Sequence, residues 1–556
     1  MNAAGGSLVA AHAGWLLSAL LVVPLAGSLA LLALRQVGAD LAARIATGIT
    51  LLTLALAVAA GAGAAPYDRP GPGAQVDVVW IPALGVHWHL ALDGLSLPLV
   101  LLTALLGLLV CWHVVRVRPV PGRVRGLVAC FLAVEGGAIA TFLARDLLLF
   151  FVAFEVVLIP MWFVVAFWGD DRQRSGYASL VAAPPPIGER ARRDAANRFV
   201  LFTALGSAVM LLGLLFVALR TGTTDIDVLA ARAAGAGGGP GLSGTEQTVA
   251  AALIVGGLAV KVPMFPLHTW LPPAHTIAPT GGSVLLAGVL LKMGSYGLVR
   301  VAVPVVPDGV RALAPVLAAL GMVGILWGGL ACYVERDLKR LVAFSSVAHM
   351  GFVLLGIASL TAVGLQGALF ANVAHGLVTG LLFLVVGALK DRHHSADLTA
   401  IGPGLRDRLP RLGWLLAFGA LAALGLPGLA GFWGELLSIA GAWQSGSTAG
   451  GAGALGALGR PLAVLAAIGT AVAATYMLRV LRLVWQGPAR APTPVGDGVP
   501  PPVTMGDATP HELSVTGPLV LATGVLGILP WLLLDVTGPA VRSLLAVVAS
   551  AVGAAP

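Results

Sequence analysis

Along the 556 residues, apolar runs of the length needed to cross a bilayer, about 20 residues, alternate with short polar breaks. They lie near 14–34, 41–62, 95–116, 124–144, 146–168, 199–220, 248–268, 278–300, 311–333, 340–360, 364–389, 411–445, 460–486 and 514–534. The pattern predicts an all-α polytopic membrane protein with about fourteen transmembrane helices. The run 411–445 is too long for one straight span, and LGLPGLAGFWGE inside it predicts a break. The stretch 537–555 is apolar but short and rich in small residues, and reads as an interfacial or packed end.

Three longer polar stretches interrupt the runs. Residues 63–94 hold WIPALGVHWHLALDGLSL, whose alternation predicts a short hairpin ahead of the third span. Residues 222–247 read as a flexible connector. Their GAGGGPG lacks the preceding strand and following GK[ST] of a phosphate loop. Residues 487–512 read as a solvated Pro-rich loop.

Composition agrees with the pattern: 58% of residues are hydrophobic and only 10% charged. The net charge of +8 would suggest nucleic acid in a soluble chain, but here it sorts by loop. With the N-terminus outside, 23 of the 33 Lys and Arg fall in inner loops and 8 in outer loops, from Arg69 and Arg145 to Arg542. That bias places both termini on the outer side. Cys111, Cys130 and Cys332 are isolated, which supports neither an iron–sulfur cluster nor structural zinc. No basic residue precedes the first apolar run, so a cleaved signal peptide is not expected.

The remaining two cations, Lys261 and Lys292, lie inside spans, where charge is costly and marks an ion path. Between them MFPLHTWLPPAHTIAP carries four prolines. Spans four to eight and nine to thirteen then read as two units whose fourth member is broken by proline and carries an ionisable residue. These are Lys261 with Pro263 and Pro266, and Glu435 with Pro427. Five spans per unit is odd, so the second enters from the opposite face, an inverted repeat. The chain divides into 1–123 (three helices and an outer loop), 124–300 and 301–486 (the five-helix units, each a half-channel), and 487–556 (loop, C-terminal helix and tail). Pro263 frees the carbonyl of Ala259, and Pro427 that of Ala423, so both breaks are expected to be hydrated.

Glu155 is the mid-span carboxylate available to Lys261. Burial weakens a lysine's hold on its proton and a nearby carboxylate strengthens it, so movement of such a pair switches proton holding to release. His349 and His375 lie at depth between the lysines and Glu435 in chain order, where imidazoles suit relay. Glu435 reads as the terminal site. The plain alternatives are a static buried ion pair and histidines satisfied in the core. His268 and His275 line an access route or cap the broken span, and Glu135 faces the bundle. Arg145–Asp146 marks a tight outer turn, Asp337, Lys339 and Arg340 an inner-face charge cluster, and Trp270, Trp433 and Trp443 packing or interfacial positions.

KVPMFPLHTWLPPAHTIAPTGGSVLLAGVLLKMGSYGLVR, DLKRLVAFSSVAHMGF and NVAHGLVTGLLFLVVGALKDRHH together resemble the antiporter-like membrane subunits of respiratory complex I, over almost the whole chain. Glu435 places the resemblance with the member whose path ends in glutamate instead of lysine. The resemblance implies a subunit of a proton-translocating NADH:quinone oxidoreductase in a bacterial inner or plasma membrane. The coupled pair would be Glu155 and Lys261, the central relay Lys292, the intermediates His349 and His375, and the exit-side site Glu435. It implies no redox site or cofactor in this chain, with FMN, iron–sulfur clusters and quinone in partner subunits. The partners would be neighbouring antiporter-like subunits, lipid, protons and water. Pro273 and the Pro-rich loop 175–197 depart from the pattern. Alternatives are a multisubunit cation/proton antiporter, an energy-converting hydrogenase and a non-pumping scaffold, which the buried charges oppose.

Overall fold

The computed structural model describes residues 2–34, 36–64, 74–118, 123–170, 188–236, 238–446, 453–488 and 506–551. Arg35, Arg69, Arg172, Arg174 and Arg490 of the loop count lie outside these residues, as do most of the loop 175–197 and the centre of 487–512.

Among the described residues, thirteen helices are long and apolar enough to span a membrane. The chain begins with α1 (Asn2–Ala33) and α2 (Ala39–Ala64), then a hairpin of β1 (Ala74–Ile81) and β2 (Val86–Leu92), as the alternation predicts. There follow α3 (Leu97–Arg116), α4 (Val124–Leu143), α5 (Leu147–Trp168) and α6 (Glu189–Thr221). The expected flexible connector after α6 contains a helix, α7 (Ile226–Ala233). Asp225 caps it by accepting from the Val228 amide, and its apolar Ile226 and Leu229 are buried, so a short amphipathic turn forms within a Gly-rich stretch.

Both expected breaks are present. The seventh span is α8 (Gly244–Lys261), an irregular segment, then α9 (Leu271–Ile277). The twelfth is α14 (Pro410–Ala423) and α15 (Ala430–Ser445) around Pro427. Between them run α10 (Thr280–Val305), α11 (Pro307–Val334), α12 (Leu338–Ala358) and α13 (Ala362–His393), and after them α16 (Gly456–Trp485), α17 (Pro510–Ile528) and α18 (Trp531–Ala551). Carboxylates and hydroxyls start several of these: Asp146 caps α5, Asp337 α12, Thr361 α13 and Thr509 α17.

The stretch 537–555 is more regular than expected: 537–551 continue α18, which is long enough to span. Its contacts run instead across one end of the bundle. It touches α7, the last turn of α10, α11 and α13, with Gly538 against Gln366 near the start of α13, and its Val536 carbonyl lies on Gly94. Among the described residues, the thirteen helices and the two broken spans are the candidate crossings. We call the end that α18 touches the hairpin end, because β1–β2 sits there too, and the opposite one the far end.

Helix α10 is buried along its whole length and α12 and α13 nearly so, whereas the spans of α1, α6 and α16 are less than half buried. The outer helices thus face the apolar surround, and α10, α12 and α13 form the axis. Helix α10 is also the irregular one, with π turns at Leu286–Leu290 and Leu298–Ala302. Lys292 sits between them.

Candidate functional site

The first break delivers Lys261 to the axis. Helix α8 ends at Lys261, where Pro263 cannot continue the ladder. The Ala259 carbonyl that Pro263 would leave open accepts from the Met264 amide at 2.9 Å, and the Val260 carbonyl from the Trp270 indole at 2.9 Å. Protein donors therefore meet both carbonyls at this break. Trp270 is a buried structural donor and not an interfacial residue. Gly294 on α10 lets the two segments meet: a Cβ there would fall 3.1 Å from the Cβ of Lys261.

Lys261 is 2% exposed, and its Nζ has no hydrogen-bond partner among the described residues. It lies 4.5 Å from the centroid of the Phe154 ring, a cation–π contact. Glu155, the next residue, is half-buried and near enough to act on Lys261 through space, but one of its oxygens is also unpartnered. The two are neighbours without a direct ion pair among the described residues.

A shorter-spaced row continues from Lys292. Its Nζ donates to the Ala287 carbonyl at 2.5 Å and lies 2.5 Å from His375 Nδ1. The Ala287 carbonyl is within the first π turn, where the helical ladder is rearranged. The His375 ring stands edge-on to His349, with centroids 5.7 Å apart. His349 Nδ1 is in turn 3.2 Å from Glu435 Oε1, at ion-pair distance but without hydrogen-bond alignment. Thr470 donates to Glu435 Oε2 at 3.2 Å. Gly425, at φ +76°, turns the chain in the second break so that the backbone passes beside that oxygen. A cavity of about 30 Å³ borders His349, His375, Thr379, Glu435 and the break residues Ala422 and Ala423. That exceeds the ~10–15 Å³ one water requires, so this second break is the one suited to hydration.

The structure thus joins Lys292, His375, His349 and Glu435 in one row, while Glu155 and Lys261 form a separate group, with Lys261 packed on α10 at Gly294. It does not place His275 at a loop. That ring is fully buried, stacked on Phe383 at 4.7 Å, with both nitrogens unpartnered. His268 is buried as well, against Phe265. Lys339 is no surface charge either: it donates to the Ala278 carbonyl inside the far end, beside an Asp170–Lys390 ion pair at 2.5 Å.

Sequence reasoning missed two groups of residues. Ser295 donates to Asn372 at 2.8 Å beside the Lys292–His375 contact. Asn372 lies three residues before His375 on one helix face, which is the available signal. The second group is at the hairpin end. Asp93 accepts from Arg300 at 2.6 Å on both oxygens, from Arg145 at 2.7 Å and from the amides of Leu95 and Ser96. Arg300 also donates to Tyr296, which donates to the Phe142 carbonyl, and Arg145 reaches Asp227 at 2.7 Å. Burial opposes the charge on Asp93, but Arg300 and Arg145 hold its carboxyl well below the usual carboxylate range. Arg145 and Asp146 are consequently not a pair; Asp146 caps α5 and accepts from Thr224 at 2.5 Å. Beside them His89 bonds Asp225 at 2.7 Å. Burial would lower the His89 pKa, yet the bond and the charge of Asp225 raise it overall.

A helical membrane fold with two broken spans and a buried cationic axis has known relatives. Residues 187–454 match the family described as NADH:quinone oxidoreductase/Mrp antiporter, TM. The chain is 35% identical over 540 residues to NADH-quinone oxidoreductase subunit M of Rhodobacter capsulatus, covering 95% of this chain and 96% of that one. It is 37% identical to the subunit M of Pseudomonas aeruginosa over 85% of both chains. Among solved structures it is similar to a chain of respiratory complex I from Thermus thermophilus with bound NADH, at TM-score 0.78 and 27% identity, covering 96% and 99% of the two chains. It shares its fold with a chain of the Mrp complex from Dietzia sp. DQ12-45-1b, at TM-score 0.75 and 24% identity, covering 97% and 100%. The chain belongs to the NADH:quinone oxidoreductase/Mrp antiporter transmembrane family.

Proposed function

We propose that this chain is a proton-translocating membrane-arm subunit of an NADH-quinone oxidoreductase, working beside other antiporter-like subunits in a bacterial membrane. The observation that carries the reading is the buried row Lys292–His375–His349–Glu435, with contacts of 2.5 and 3.2 Å at its ends and rings 5.7 Å apart in the middle. Every member can hold and pass a proton, and the row ends at a cavity suited to water.

The roles follow from position. Glu155 approaches or leaves Lys261, which changes how firmly that lysine holds its proton. Lys292 takes the proton on, His375 and His349 pass it along, and Glu435 delivers it. Residues 124–300 and 301–486 are the two half-channels. The hairpin end faces outward, with α18 lying along that surface, as the loop charges argue. The chain itself holds no redox group: FMN, iron–sulfur clusters and quinone belong to partner subunits, and the chain contributes the charge path they drive.

The test is Lys292→Ala in the assembled complex, with NADH oxidation and proton uptake followed in inverted membrane vesicles. Proton movement is expected to fail while the complex remains assembled. Pumping at the wild-type ratio of protons to NADH would remove Lys292 from the path.

A further inference from the structure

Glu135 is a fully buried carboxylate that the relay does not use. It lies in the middle of α4, is 0% exposed, and neither of its oxygens has a hydrogen-bond partner among the described residues. The carboxyl group sits on the backbone of α3: a Cβ at Gly107 would come within 2.8 Å of Glu135 Cδ. An unpaired charged carboxylate in such a place is costly. A neutral acid with no acceptor is itself a poor structural element, since an apolar side chain of similar size would fill the space without stranding polar atoms.

The far end supplies an approach. A cavity of about 230 Å³ opens there among Asp170, Lys339, Lys390, Asp391 and His113, a polar rim with room for several waters. It is also lined by Leu127 and Phe131 of α4 and Gly281 of α10. Phe131 and Glu135 are four residues apart, so they stack on the same face of α4, about 6 Å apart along its axis. The Phe131 ring tip lies beside Gly281, where a Cβ would be 3.1 Å from it. Glu135 therefore stands one helical turn behind the aromatic ring that lines the wet cavity. Its neighbour on α3, Leu106, packs on Gly288 in the π turn ahead of Lys292.

We propose that Glu135 is a second proton-loading site, a side branch that takes its proton from the far-end cavity past Phe131. The step is a proton transfer: when the ring swings aside a cavity water passes a proton to the carboxylate oxygen, and the acid then releases it to water on the Leu106–Gly288 side, toward Lys292. This rests on the proton-path reading above. Phe131 acts as a positioning residue and touches no relay group.

Glu135→Gln is the discriminating variant, because glutamine keeps the shape and neutrality of the acid but cannot exchange the proton. In assembled complex, protons moved per NADH oxidised are expected to drop in Glu135→Gln. An infrared carboxylic-acid band that shifts in D2O is expected to vanish with it. Phe131→Trp, which blocks the approach, should slow that D2O shift while leaving the band. A wild-type proton ratio in Glu135→Gln, or a wild-type complex with no exchangeable acid band lost in that variant, would overturn the proposal. Lys292→Ala is run alongside: if it too pumps normally, the relay reading has failed, and if it alone fails, only the side branch has.

Discussion

Two buried ionic groups share this bundle, and they are built in opposite ways. At the hairpin end the Asp93 carboxylate accepts six hydrogen bonds, from Arg300 twice, Arg145, two backbone amides and the Ser96 hydroxyl. On the axis, Lys261 has no hydrogen-bond partner among the described residues, and the His349–Glu435 contact lacks hydrogen-bond alignment. Burial costs are similar in both places. A saturated cluster holds its protons and its geometry, and so serves as a strut. An under-bonded row keeps open valences through which a proton can be taken up and passed on.

The largest effect should come from the axis. Lys261→Ala is expected to abolish NADH-driven proton uptake in vesicles, with subunit content unchanged on native gels. Glu155→Gln should be nearly as severe, because the missing ion pair makes the charge of Glu155 on Lys261, rather than any bond, the acting quantity. Wild-type uptake in either variant would break the comparison from the axial side.

Asp93→Asn should break it from the other side. Two buried guanidinium groups would lose their shared carboxylate, a loss of about 3–5 kcal/mol of stability. The expected outcome is poor assembly and a lower melting temperature, with normal proton-to-NADH stoichiometry in whatever complex forms. Selective loss of pumping in well-assembled Asp93→Asn would assign the cluster to the path. Glu435→Ala should remove pumping, while Glu435→Lys should retain part of it, since a lysine there still faces His349 and can exchange a proton. Equal activity of Glu435→Ala and wild type would remove Glu435 from the row.

The smallest effect concerns pH at the hairpin end. His89 has its pKa raised by Asp225, so its contribution to stability is complete below the ordinary histidine value and is lost as pH rises through the raised one. Melting temperature measured from about pH 5 to pH 8 should fall slightly across that window. The fall should be absent in His89→Asn, and an identical slope in that variant would remove His89 as its source.

Much of this was legible in the chain because hydrocarbon makes charge conspicuous. Lys261, Lys292, Glu155 and Glu435 stand out from apolar runs, and the prolines beside two of them announce breaks. The hairpin was visible from alternation. The strut was not, because Asp93 and Arg145 read as ordinary loop residues at span ends and their meeting with Arg300 depends on helix packing. His275 was misplaced for the same reason: the residues after Pro263 looked like a loop, whereas they fold back into the core as α9. The GAGGGPG stretch hid α7, since glycine frequency says nothing of a capped apolar turn beside it.

The π turns around Lys292 have a consequence for how this helix tolerates change. A π turn is an α-helix carrying one residue too many. Excising a single residue from 286–290 would let that turn relax to ordinary α geometry, with the flanking helix keeping nearly its phase. What would be lost is the rearranged ladder itself, and with it the placing of the Ala287 carbonyl on the Lys292 ammonium group. The surplus residue is thus spent on carbonyl placement beside Lys292 and not on the register of the axis.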